Sequence, residues 1–235
     1  MDFTAEQYEQ RDAARLAGML AGPPLTWVFV GDSITRGVGH TRGRRNFVEH
    51  FAERLCGELG RDRDAIINSA VDGATVADVL DEFHWRIGRF APDVVLAMYG
   101  TNDALVEREG GSRAFRYDLG QLVGRSRDLG ATVILQTPPP VDAGDQRDPE
   151  TVAVYAAEVR SVARELGVPL VDHAEVWREA TTREPVMAEW LDDTVHPNAR
   201  GQHALALALF ERLGVLDPDS AVCSLRLEGA VASAP

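Results

Sequence analysis

Ser33 closes the string Gly31-Asp32-Ser33, directly after the apolar run WVFV at 27–30. A serine hydroxyl is a weak nucleophile until an adjacent base takes its proton. His196 is a suitable base. Asp193, three residues earlier, reaches the far imidazole nitrogen if the segment turns. A carboxylate there fixes the tautomer and stabilises the imidazolium that forms. Attack on a carbonyl also needs donors for the developing oxyanion. Gly73 can present a backbone N–H at close range because it has no side chain. Asn102 offers a side-chain amide, and Ser33 its own N–H. Losing one such donor typically costs about 3 kcal/mol of transition-state stabilisation. The chemistry these residues suit is nucleophilic acyl transfer.

Each residue has a plainer reading. Ser33 alone reads equally well as a helix N-cap. Gly73 and Asn102 singly read as turn residues. His196 has five competitors, His40, His50, His84, His173 and His203. His50 and His84 sit in helical segments, and His203 lies within the last helix. His173 is the strongest rival, because Asp172-His173 ends a strand. His196 is preferred for the aspartate three residues back and the following Pro197-Asn198. Asp192 reads as a solvated neighbour of Asp193. Arg42, Arg44 and Arg45 follow the serine segment; as a group lining the mouth they would favour an acidic substrate, but a solvated surface is the preferred reading. Tyr99, Leu105, Val106 and Trp190 flank these segments and suit an acyl pocket or the core equally.

These residues must be positioned by strands and helices in alternation. Apolar strands are read at 27–30, 65–70, 93–99, 131–137 and 168–172. Helices are read at 47–59, from Thr75 to about Gly88, from Ser112 to Leu129, and at 149–166 and 198–213. Short continuous apolar strands imply cover on both faces. The alternation implies a doubly wound parallel sheet in a single α/β domain over 1–235. Residues 1–22 read as an extra N-terminal helix, and the tail from about 217 as weak strand or coil. In such sheets ligands bind beyond the carboxyl ends of the strands. Three strand ends here carry Ser33, Gly73 and Asn102.

In these segments the chain resembles the SGNH hydrolases, the bacterial branch of the GDSL esterases and lipases. The segments are VFVGDSITRG, INSAVDGAT, YGTND and DDTVHPN, in family order and spanning 27 to about 210. One departure is Ile34, where the family name has leucine; this is a packing change. The resemblance implies a flavodoxin-like three-layer α/β/α fold with a mainly five-stranded parallel sheet. It implies Ser33 as nucleophile, His196 as base and Asp193 as its partner. The N–H groups of Ser33 and Gly73 and the amide of Asn102 then form the oxyanion hole, and hydrolysis of an ester or thioester needs no metal.

Composition narrows the alternatives. The chain has 235 residues, 45% hydrophobic and 26% charged, with formal net charge −13, which disfavours nucleic-acid partners and anionic membrane surfaces. All 24 basic residues are arginine, which excludes lysine Schiff bases, a pyridoxal phosphate anchor and a Walker lysine. The loop from Gly31 to Gly39 is not G-x-G-x-x-G, and Asp32 opposes a phosphate, so no nucleotide cofactor is expected. The two cysteines, Cys56 and Cys223, match no metal spacing, and Cys56 reads as a small buried hydrophobe. No run approaches the roughly 18 apolar residues of a membrane span. The polar start lacks a signal-peptide pattern, so a cytoplasmic location is expected.

Together these readings predict a serine hydrolase acting on a small carboxylic ester or thioester. An acyltransferase that passes the same acyl group to an alcohol or amine would use identical residues. A non-catalytic binding module is the remaining alternative, disfavoured by the full residue set.

Overall fold

The computed structural model describes residues 14, 16, 18–106, 109–144 and 146–227. Five strands form one parallel sheet: β1 (Thr26–Gly31), β2 (Ala65–Asn68), β3 (Val94–Met98), β4 (Thr132–Gln136) and β5 (Leu170–Val171). Their spatial order is β2-β1-β3-β4-β5, a flavodoxin-like order. Alternation along the strands fills two cores. Trp27, Phe29, Val94, Leu96 and Met98 point to one face. Val28, Val30, Val95, Ala97 and Tyr99 point to the other. Both faces of β1, β3 and β4 are therefore dry, which accounts for their continuous apolar runs, while the edge strand β2 is only partly covered. The expected three-layer α/β/α fold is the observed one.

On the first face lie α1 (Ser33–Arg36), α2 (Phe47–Ala52), α7 (His173–Thr181), α8 (Val186–Trp190) and α9 (Ala199–Leu213). On the second lie α3 (Val76–Asp81), α4 (Phe83–Arg86), α5 (Gly111–Asp128) and α6 (Pro149–Leu166). Two expected helices are interrupted. The helix at 47–59 continues beyond α2 as a π-helical stretch, Glu53–Glu58, from which buried Arg54 donates to the Val215 carbonyl at 2.9 Å. The helix expected from Thr75 breaks at Glu82 (φ −99°, ψ 20°), and Phe83 opens a new helical segment with its ring buried. The sequence reading did not include α7 and α8.

Of the N-terminal segment, residues 14, 16 and 18–20 are helical and Leu16 is buried in the first core. The rest of that expected helix, 1–13 with 15 and 17, lies outside the described residues. The tail through 227 consists of turns and coil. Val222 is buried there, and its carbonyl accepts from His203 Nε2 at 2.8 Å. Cys56 is half-buried rather than buried, and both cysteines are free thiols.

One glycine is required by packing where α9 crosses the segment before it. A Cβ on Gly201 would sit well inside contact distance of the Trp190 carbonyl oxygen, a backbone atom that cannot swing aside. Gly201→Ala is expected to cost about 1–3 kcal/mol, measured by chemical denaturation.

Candidate active site

The strand order sets the site. Gly31 of β1 pairs with Met98 of β3, and Phe29 with Asn68 of β2. The three segments that leave these strands therefore emerge side by side. The first carries Ser33, at the start of α1. Asp32, not Ser33, is the N-cap of that helix, accepting from the Ile34 N–H at 2.9 Å. The capping role weighed for Ser33 as its plainer reading thus falls to Asp32, which leaves the Ser33 hydroxyl to another partner.

That partner is His196. Ser33 Oγ lies 2.9 Å from His196 Nε2, and His196 Nδ1 lies 2.8 Å from Asp193 Oδ2. The turn that joins Asp193 to His196 is held by the same carboxylate. Its Oδ1 accepts from the N–H groups of Val195 and His196, at 2.8 and 2.7 Å. Burial opposes the charge on Asp193, yet these bonds and the imidazole keep its carboxyl below the ordinary range. The loop is anchored at its base. Leu191 bridges Pro197 in antiparallel fashion, and the Asn198 amide donates to the carbonyls of Glu189 and Leu191. Asn198 also caps α9.

The N–H groups of Ser33 and Gly73 make no hydrogen bond among the described residues. Gly73 has φ +76°, yet nothing lies within 4 Å of where a Cβ would stand. Backbone conformation, rather than crowding, is what requires glycine there. Asn102 presents its amide with only long bonds, 3.4 Å to Asp32 Oδ2 and 3.3 Å to the Ala74 carbonyl. Its oxygen, by contrast, accepts from Arg147 Nη2 at 2.8 Å. A guanidinium on the amide oxygen polarises the amide and orients its N–H groups.

Asp103 ties these segments together. Its Oδ1 accepts from the Val76 N–H at 2.9 Å and its Oδ2 from the Gly100 N–H at 3.0 Å. The sequence reading did not single out Asp103 or Arg147. The only signal for Asp103 was its place beside Asn102, and for Arg147 its place after strand four. Both Asp32 and Asp103 are buried. Burial lifts the Asp32 carboxyl to about 7, against the Ile34 N–H that holds it down. Burial lifts Asp103 to about 6, against the N–H groups of Val76 and Gly100.

A further imidazole covers His196. The His40 ring is stacked on it with centroids 3.8 Å apart and planes at 3°. His40 Nδ1 lies 3.5 Å from Asp192 and 3.6 Å from Asp193. Asp192, expected to be solvated, instead pairs with Arg42 at 2.8 Å. His40, Asp193 and His196 bring ligand-type atoms within 4.8 Å of one another, but one ion cannot lie in the planes of two parallel stacked rings. His173 is not at this site. It is fully buried against Gln136 Oε1 at 3.0 Å, and burial lowers its pKa to about 3. Arg45 pairs with Glu53 at 3.1 Å, and Arg44 is exposed. Trp190 packs edge-on to Trp177 at 5.1 Å, in the core. Leu105 and Val106 are exposed next to Asn102.

The five-stranded sheet with helices on both faces matches that of known proteins. The chain belongs to the GDSL-like lipase/acylhydrolase family, whose model matches residues 29–204, and it is a carboxylic ester hydrolase of the SGNH type. An acetylxylan esterase of Geobacillus stearothermophilus is 27% identical over 209 residues, covering 80% of this chain and 93% of its own. The solved structure of Axe2, an acetylxylan esterase from that organism, superposes with a TM-score of 0.68 at 24% identity, covering 82% of this chain and 95% of its own. Structures of Axe2 described as catalytic mutants replace a serine, an aspartate and, three residues beyond the aspartate, a histidine. LAE5, an α/β hydrolase from the metagenome of Lake Arreo in Spain, superposes with a TM-score of 0.72 at 24% identity, covering 85% of this chain and all of its own. Among the described residues no helix is long and apolar enough to cross a membrane.

The raised carboxyl of Asp32 makes stability depend on pH. Below about 4 the folded and unfolded chains both hold its proton. Between there and about 7 only the folded chain keeps it, so rising pH favours unfolding. Moving a carboxyl from 3.8 to about 7 corresponds to roughly 4 kcal/mol. Asp32→Asn is expected to flatten the loss of stability between pH 4 and 7, read from denaturation midpoints across that range.

Proposed function

We propose that this protein is a serine hydrolase that cleaves small carboxylic esters through an acyl-enzyme on Ser33. The observation that carries the reading is the unbroken relay Ser33 Oγ–His196–Asp193, with both contacts under 3 Å. Its order and its three-residue Asp–His spacing parallel the catalytic positions of Axe2. The kinship to an acetylxylan esterase supports a small acyl group such as acetyl.

In this reading Ser33 Oγ attacks the ester carbonyl as His196 Nε2 takes its proton. Asp193 steadies the imidazolium through Nδ1. The carbonyl oxygen becomes an oxyanion between the N–H groups of Ser33 and Gly73 and the Asn102 amide. None of these donors is committed to a short bond beforehand, so stabilising the charge needs little reorganisation. Collapse breaks the bond to the alcohol, which leaves with the proton from His196. Water then attacks the acyl-serine with His196 again as base, releasing the acid and restoring Ser33.

Ser33→Ala is expected to abolish hydrolysis of 4-nitrophenyl acetate and labelling by a fluorophosphonate probe. Undiminished turnover by that variant would refute the assignment. His40 serves here by holding the His196 ring flat against its own. His40→Ala is expected to lower kcat roughly tenfold by letting that ring swing, with KM little changed. His40→Phe, which keeps a stacked ring, is expected to retain most of the rate.

A further inference from the structure

The Asn102 side chain can serve an oxyanion at one end only. Its amide has a donor end and an acceptor end of nearly the same shape, exchanged by a half-turn. Nδ2 stands toward the Ser33 segment, 3.4 Å from Asp32 Oδ2. In that state it donates to a charge developing there, whereas Oδ1 in its place would repel that charge. Two contacts choose between these states. The Ala74 carbonyl, 3.3 Å from Nδ2, can only accept. Arg147 Nη2, 2.8 Å from Oδ1, can only donate. The Ala74 bond is long, so the short, charge-assisted bond from Arg147 is the stronger constraint.

Arg147 is itself firmly placed. It stands in the segment between β4 and α6, which carries none of the reacting groups. That segment is fastened at three points. Val141 is buried in the first core. The Asp142 N–H donates to the Thr194 carbonyl at 2.7 Å, two residues before His196. Asp148, next to Arg147, caps α6 by accepting from the Thr151 N–H at 2.8 Å. Pro149 opens that helix and restricts the backbone of the residue before it. One segment thus touches both the loop of the base and the Asn102 amide. Arg147 is half-buried, and its charge also reaches Asp32. Burial lifts that carboxyl, and Arg147 works against the lift.

We propose that Arg147 is a positioning residue for the hydrolysis, holding Asn102 with its donor end toward the oxyanion. The proposal rests on the serine-hydrolase reading, which supplies the oxyanion. A positive group on Oδ1 also draws electron density from the amide nitrogen, so the Nδ2 donor is the stronger for it. Arg147 acts through Asn102 and need not touch the ester. Its effect therefore falls on the transition state, and ground-state binding of a small ester is little affected.

The test measures kcat and KM on 4-nitrophenyl acetate for Arg147→Met, Arg147→Gln and Arg147→Lys, with the first two also combined with Asn102→Ala. Thermal melts establish that each variant is folded. Removing an oxyanion donor outright costs about 10²–10³ in kcat. Arg147→Met leaves the amide free to turn and is expected to lower kcat roughly ten- to hundredfold, within that limit, with KM little changed. Arg147→Gln, whose own amide can donate or accept, is expected to lower kcat in the same direction and carries the test if Arg147→Met folds poorly. Arg147→Lys, still charged and donor-only, is expected to restore most of the rate. Combined with Asn102→Ala, Arg147→Met is expected to change kcat by less than about twofold, because its route to the oxyanion is gone. Wild-type kcat in folded Arg147→Met overturns the proposal. So does an equal loss with and without Asn102, which would place the effect at Asp32 or in the segment itself. Both of those outcomes leave Ser33-dependent hydrolysis by the wild type standing. Absence of any Ser33-dependent hydrolysis would instead overturn the serine-hydrolase reading beneath it.

Discussion

The site depends on the position of β1 between β2 and β3, all three running the same way. Because the chain adds β2 on one side of β1 and β3 on the other, the segments leaving these strands diverge above the sheet and open a crevice between them. The register holds this crevice in place. Gly31 lies beside Met98, and the Val71 N–H reaches back to the Gly31 carbonyl at 3.1 Å. The Asn68 amide donates to the Thr35 carbonyl at 2.8 Å. A slip of one residue in β1 would exchange its two buried faces and move Ser33 away from its partners. With Trp27, Val28, Phe29 and Val30 all fully buried, neither face tolerates that exchange.

The fourth segment reaches the site by a different route. It leaves no strand of the sheet and must be held by its own bonds. The Leu191–Pro197 bridge, the double use of Asp193 and the two donations from Asn198 make a closed loop that hands His196 to Ser33. Trp190 anchors the near end of that loop by packing on Trp177, and the close crossing at Gly201 anchors the far end. Asp192 and Arg42 fasten the outer segment that carries His40 to the same loop. The imidazole is thus gripped from its edge by a carboxylate and from its face by a ring.

Much of this was legible in the sequence because it follows from periodicity and local chemistry. Strands buried on both faces advertise themselves as apolar runs, and the segments that follow them are where Ser33, Gly73 and Asn102 stand out. What was not legible depends on contacts between distant segments. Nothing near Arg147 in sequence says that it meets Asn102, 45 residues away. His40 was weighed only as a rival base, since stacking on His196 is invisible to spacing. The break at Glu82 was missed because residues 75–88 keep helical periodicity through it. The helices α7 and α8 were missed as well, nine and five residues long. Asp192 looked solvated because its partner lies 150 residues earlier.

Asp103 carries a consequence for how this crevice can change shape. One carboxylate grips the first turn of α3 with one oxygen and the start of the Gly100–Asp103 turn with the other. Gly73, two residues before the cap of α3, and Asn102 therefore cannot drift independently. The same two segments are also tied to β1, through the Val71 N–H on the Gly31 carbonyl and the Asn102 amide on Asp32. The distance between these two segments is thus set by a buried carboxylate that stands outside the Ser33–His196–Asp193 chain of contacts.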